Sequence, residues 1–254
     1  MTQRYFLEVM YDGTFFHGSQ VQGEIATVQL ELNKALSTLM RRQVETFGAS
    51  RTDEGVHALC NVYHFDTEED PHPQLHYKLN AILPAAVSIS RIFRCKEPLI
   101  NSRFDAVSRS YRYRIYRQKQ PFYNKRALYY PFKIDRTVLD NTAAILKEYQ
   151  DFETFSKRNT QSYTFRCTIF ESRWEEHGDQ LHYVVKANRF LRGMVRGLVG
   201  TQLQVARGRM SVEEFRNIIE AKDCTLADFS VAGHGLYLEA IEYPEGTLEE
   251  VFLH

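Results

Sequence analysis

Ser50-Arg51-Thr52-Asp53-Glu54-Gly55-Val56-His57-Ala58 stands where two stretches that read as strands, 43 to 49 and 56 to 66, are separated by residues 50 to 55. The Gly-bearing break between them reads as a loop. Residues 4 to 11 add a third strand, with Tyr5, Leu7, Val9 and Tyr11 alternating against Arg4, Phe6, Glu8 and Met10. Asp12-Gly13-Thr14 ends it with turn residues, and Thr27 is the N-cap expected for a helix running to about Arg42. Val28, Leu32, Ala35, Leu36 and Leu39 form one stripe of that helix. A short helix at 73 to 82 and a strand at 87 to 96 complete a first half.

A second cycle follows. Residues 107 to 117 alternate as a strand, 135 to 148 read as a helix, and 163 to 188 as a hairpin turning at His177-Gly178-Asp179. Helices at 189 to 206 and 211 to 222 precede a last strand at 236 to 243. Hairpin-like strands mixed with helices predict an α+β fold: two similar α/β halves, a mainly antiparallel mixed sheet and a central active-site cleft. The expected division is an N-terminal catalytic half over 1–105 and a C-terminal half over 106–254.

The 254 residues are 43% hydrophobic and 25% charged, enough for a large core and unlike a disordered chain. Lys plus Arg and Asp plus Glu each number 32, which excludes a uniformly basic or acidic chain. That zero is uneven. Residues 103 to 133 carry nine basic side chains against Asp105 alone, and 180 to 212 carry six with no acid. Two cationic segments on an otherwise acidic body predict a polyanion-binding surface. In Arg109-Ser110-Tyr111-Arg112-Tyr113-Arg114 the aromatics suit stacking on bases and the arginines suit phosphates. Ordinary solvent-facing arginines on a half-buried strand would look the same. Arg109 and Arg112 are expected to grip RNA at little cost to the fold. Arg192 and Arg196, four apart, are expected on one side of the 189–206 helix. The acidic group Asp66, Glu68, Glu69 and Asp70 and the acidic C-terminal tail read as solvated surface.

Cys60, Cys95, Cys167 and Cys224 stand singly, without Cys-x-x-Cys spacing, so no zinc or dithiol site is expected. His72 and His76 are too close to Pro73 to make a convincing ligand pair, and no metal is expected. No apolar run reaches membrane-spanning length, and Glu8 comes too early for a secretory leader, so a cytoplasmic protein is expected. Asp53 has neighbours able to donate hydrogen bonds and positive charge, which fits a catalytic carboxylate. Spacing alone fits a plain turn equally well. His57 and His64 fit packing on their strand better than proton transfer.

Arg51 to Ala58 resembles the signature Gly-Arg-Thr-Asp-Ala-Gly-Val-His-Ala of the tRNA pseudouridine synthase A family. The resemblance runs along nearly the whole chain: Tyr11-Asp12-Gly13-Thr14 with Phe16-His17-Gly18 and Gln20, Thr27-Val28-Gln29, Asn80 to Pro84, Arg109 to Tyr113, Phe190 to Arg196, and Gly235 to Leu238. It implies isomerisation of uridine to pseudouridine in the tRNA anticodon stem-loop, at tRNA positions 38–40, by a homodimer with no cofactor. Its catalytic aspartate falls on Asp53, its stacking tyrosine on Tyr111 and the arginine paired with the aspartate on Arg196. Arg51 falls on the residue that guides the flipped nucleotide. Thr52, His57, Arg109, Arg112 and Arg192 are the further residues expected to bind substrate. Ser50 replaces the family's glycine, Glu54 its alanine and Ser19 a tryptophan of the first loop. Val231-Ala232-Gly233-His234-Gly235-Leu236 replaces an Ala-Pro-x-x-Gly-Leu pattern. The competing readings are an RNA-binding or folding-assist protein without catalysis, and a hydrolase pairing Asp53 with Glu54 or Asp105.

Overall fold

The computed structural model describes residues 2–96, 98–158 and 163–251. The chain forms two compact units, one of residues 1–107 with 238–254 and one of 108–237. The described structure is mixed α and β, with strand pairing mostly antiparallel.

In the first unit, β1 (Gln3–Tyr11) leads to α1 (Val28–Met40), β2 (Phe47–Gly48), β3 (His57–Thr67), α2 (Leu75–Ile82) and β4 (Val87–Cys95). β1 pairs antiparallel with β3 on one side and β4 on the other, with Leu7 opposite Tyr63 and Ile92. Tyr5, Leu7, Val9 and Tyr11 are buried, as their spacing predicts. Phe6, on the alternate face, is buried too, because His64 stacks on it and Tyr243 meets it edge-on at 5.4 Å. Arg4 and Asp66 form a two-toothed ion pair, 2.7 Å at each tooth, which holds the Asp66 carboxyl below its usual range. Asp66 is thus a structural partner rather than simply solvated charge.

Thr27 caps α1 by accepting from the Leu30 amide, and Val28, Leu32, Ala35 and Leu36 are its buried stripe. The strand expected over 43–49 shrinks to Phe47 and Gly48. α1 itself supplies the reason. Ser37 accepts from Val44 N, Asn33 Oδ1 accepts from Thr46 N, and Gln29 Nε2 donates to the Thr46 carbonyl. Backbone groups satisfied by helix side chains need no neighbouring strand.

The second unit holds β5 (Ser108–Tyr116), β6 (Leu128–Tyr129), α3 (Arg136–Ile145), β7 (Ile169–His177), β8 (Gln180–Ala187), α4 (Met194–Ala206) and α5 (Val212–Ala221). β8 lies between β5 and β7, antiparallel to both, while short β6 runs parallel to β5. Tyr113, Trp174, Tyr183, Phe155, Leu198 and Phe215 are core residues. The Trp174 indole donates to Gln202 Oε1 at 2.9 Å within this core. Residues 163–168 do not extend the hairpin. Their backbone bonds run instead to residues 150 and 152, and Thr168 N donates to the Asn188 side chain.

The helix expected over 189–206 begins only at Met194. Gly193 takes a left-handed conformation (φ 75°), and the Arg192 carbonyl accepts from Lys157 N. Arg192 therefore lies outside α4 and shares no helix face with Arg196. The remaining strands are β9 (Leu236–Glu242) and β10 (Leu248–Val251). The first unit's strand order is β10-β4-β1-β3-β9. β10 makes the acidic tail an edge strand on β4, where Glu249 pairs with Arg94 at 2.8 Å.

Burial pushes the His64 and His182 imidazoles down to about 4, aided by Arg4 near the first and by Arg112 and Arg114 near the second. The unfolded chain takes up these protons near ~6.5. Both rings are neutral in both states above that pH. Below it the unfolded state binds protons first, so stability falls as pH drops from ~6.5 toward about 4. NMR titration is expected to find both imidazoles neutral down to about pH 4, with the thermal midpoint declining across that window.

Candidate active site

The loop after β2 is fastened at several backbone groups. Ser19 and Thr52 clamp each other: Thr52 N donates to Ser19 Oγ at 2.8 Å, and Ser19 N donates to the Thr52 carbonyl at 3.0 Å. Thr52 Oγ1 lies 2.9 Å from the Tyr11 hydroxyl. Asn61 Nδ2 donates to that hydroxyl at 3.1 Å and to the Ser50 carbonyl at 3.0 Å. Tyr11, Ser19, Ser50, Thr52 and Asn61 are all buried, where such bonds are worth most. The Ser19 hydroxyl, standing where the family has tryptophan, is thus a direct brace of the loop.

Val56 N donates to the Asp53 carbonyl at 3.2 Å, and Gly55 takes a positive φ of 75°. This turn leaves the Asp53 side chain half-buried between exposed Arg51 and exposed Glu54. His57 is buried. Its Nδ1 accepts from the Gly13 amide at 3.2 Å and lies 3.2 Å from Asp12 Oδ1. It supports the loop from beneath. Gly13 lies flat against Val56, where a Cβ would fall 2.0 Å from the Val56 carbonyl oxygen.

The second unit carries the other expected residues. Tyr111, on β5, is 8% exposed and meets Phe190 edge-on at 5.0 Å. Arg196, in the first turn of α4, is half-buried. Its Nε donates to the Val231 carbonyl at 2.8 Å and its Nη2 to the Phe229 carbonyl at 3.3 Å. The Tyr113 hydroxyl donates to the Ala232 carbonyl at 2.6 Å. Segment 229–232 is therefore held between β5 and α4 by its own backbone, a role that sequence reasoning missed. A guanidinium bonded to plain carbonyls leaves no trace in residue type.

The strand arginines have partners within the second unit. Arg109 is buried and donates to the Asn188 carbonyl at 2.9 Å. Arg112 pairs with Glu175, and its Nη1 donates to His182 Nδ1 at 3.2 Å. The Arg114 guanidinium lies 3.8 Å above the Tyr237 ring. All three serve the fold, so replacing Arg109 or Arg112 carries a structural cost that the sequence reading did not expect. Exposed cations lie elsewhere, at Arg51, Arg192, Arg117, Lys119 and Lys133, with Phe122 87% exposed among the last group. Among the described residues, no three His, Cys, Asp or Glu side chains gather to hold a metal, and no helix is long and apolar enough to cross a membrane.

A family model described as tRNA pseudouridine synthase matches residues 149–244. The tRNA pseudouridine synthase A of Parabacteroides distasonis is 42% identical over 246 residues, covering 96% of this chain and 97% of that protein. The Bacteroides thetaiotaomicron protein of the same name is 43% identical, covering 98% and 93%. That of Bacillus subtilis is 37% identical, covering 92% and 97%.

Gly13→Ala drives a methyl into backbone that cannot yield. It is expected to cost roughly 1–3 kcal/mol of stability and to speed amide exchange at residues 50–56. Calorimetry and hydrogen exchange check both outcomes.

Proposed function

Because the chain belongs to the tRNA pseudouridine synthase A family, we propose that it isomerises uridine to pseudouridine in the tRNA anticodon stem-loop. The observation that carries this is near-full-length identity to three synthases, joined to a braced loop that leaves the Asp53 carboxylate half-buried at its turn.

The chemistry follows from the product. The N1–C1′ bond breaks, uracil turns, and a C5–C1′ bond forms. C5 gives up a proton and N1 gains one, so the reaction is redox-neutral and exchanges no group with solvent. Nothing in this balance demands an organic cofactor or metal. The base must first leave its stack, at a cost of a few kcal/mol that is lowest near a loop. In our reading Asp53 is the catalytic carboxylate that acts on the extruded nucleotide. Arg196 is its counter-ion, oriented by the Val231 and Phe229 carbonyls. Tyr111 stacks on the detached uracil and limits its escape, its own ring set by Phe190. Arg51 and Arg192, both exposed, take phosphates. The working form is read as a cytoplasmic homodimer. Arg109, Arg112 and His57 act by holding the strand and loop that present these groups.

Unmodified tRNA transcripts incubated with the protein and probed by carbodiimide labelling test the reading. New pseudouridine is expected in the anticodon stem-loop, and Asp53→Asn is expected to lower its formation by about 10²-fold or more at an unchanged thermal midpoint. An Asp53→Asn protein of full rate would remove the carboxylate from the mechanism. Tight tRNA binding without conversion by the unaltered protein would favour a binding protein without catalysis.

The arginines separate in a second experiment. Arg192→Ala is expected to weaken tRNA binding and to reduce the slope of log affinity against log salt by about one. Arg109→Ala is expected to lower the thermal midpoint first, because it strips a donor from the partly buried Asn188 carbonyl.

A further inference from the structure

A pocket of ≈ 180 Å³ opens in the first unit beside the signature loop. That is more than about ten times the space one water needs. Phe47, Phe104, Arg51 and Arg103 are among its lining residues, and Asp53 is not. Phe104 is 79% exposed and Phe47 is 52% exposed. Leaving an aromatic ring in water forgoes roughly 1.5–3 kcal/mol of burial, and here two such rings border a single cavity.

The pocket is built in advance. Asn101 Oδ1 accepts from the amides of Arg103 and Phe104 at 2.9 and 3.3 Å, and Asp105 Oδ2 accepts from Asn101 N at 2.6 Å. Ser102 Oγ donates to the Phe47 carbonyl at 2.7 Å, which ties the two aromatic walls together. The Phe47 ring stacks on buried His64, centroids 5.2 Å apart. Tyr63 lies beneath Gly48, where any Cβ would fall 2.8 Å from the ring. The Arg103 guanidinium sits 5.7 Å from the Phe104 centroid.

Exposed aromatic faces interleaved with guanidinium groups match an unstacked base and its phosphate. The position narrows the occupant. Arg51 lines the pocket and stands two residues from Asp53, at most ~7 Å along the backbone. We propose that this pocket receives a nucleotide adjacent to the target uridine in the same RNA strand, its base against Phe104 and Phe47 and its phosphate on Arg51 and Arg103. The inference rests on the RNA-modifying reading above and adds a second point of capture, which makes choice of uridine depend on a neighbour.

Fluorescence anisotropy with the full-length protein tests it. The probes are three dye-labelled tRNA transcripts: one intact, one abasic immediately 5′ of the modified uridine and one abasic immediately 3′ of it. On intact tRNA, Phe104→Ala is expected to weaken binding about five- to hundredfold, the range measured for loss of one base–aromatic stack. On one of the two abasic tRNAs the unaltered protein is expected to bind as weakly as the variant, and the substitution to cost nothing more. Arg103→Gln is expected to flatten the salt dependence on intact tRNA. Unchanged affinity of Phe104→Ala on intact tRNA, or equal losses on all three transcripts, would overturn the pocket assignment. Phe104 is so exposed that an unchanged thermal midpoint is expected and confirms a folded variant. Base-dependent binding with no pseudouridine formed would overturn the catalytic reading and leave the pocket in place.

Discussion

The mutual clamp between Ser19 and Thr52 is the constraint on which the first unit's chemistry depends. It joins the segment after β1 to the loop before β3 through two backbone amides, one carbonyl and one hydroxyl. Around it, Tyr11 and Asn61 share a buried network that leaves the loop little freedom. On the proposed reading, a carboxylate that meets an extruded nucleotide gains from such fixation, since a misplacement of about 1 Å costs rate steeply. The turn at Asp53–Val56 then leaves the Asp53 side chain half-buried on this base.

Much of this was legible in the residues. The strands β1, β3, β4 and β5 appear where the sequence places them, and Thr27 caps α1 as its type suggests. The signature loop and Asp53 stood out only through their resemblance to a family, since Asp-Glu-Gly alone is ordinary turn composition. Other features were hidden for physical reasons. The 43–49 strand failed because Asn33, Ser37 and Gln29 satisfy its backbone from the helix. The early start expected for α4 failed because the four residues Arg189 to Arg192 look helical until Gly193 takes its left-handed turn. The internal partners of the strand arginines were hidden because charge is readable in a sequence while a partner sixty to eighty residues away is not: Arg112 meets Glu175 and His182, and Arg109 meets the Asn188 carbonyl.

Charge therefore divides into two populations. One is consumed internally, as in Arg4 with Asp66, Arg112 with Glu175 and Arg114 over Tyr237. The other is exposed and stands with an aromatic ring, as in Arg51 and Arg103 at the pocket lined by Phe104. A formal charge of zero says nothing about which population dominates a given face. The exposed group alone can release counterions when a polyanion docks.

The guanidinium of Arg196 is fastened to main-chain oxygens of residues 229 and 231, and the phenol of Tyr113 to that of residue 232. Every amino acid offers the same oxygen. Mutation can therefore rewrite the side chains of this stretch, as the missing proline pattern illustrates, while the anchoring of the cation persists. The segment is restrained by these bonds in the path of its backbone, whatever side chains it carries.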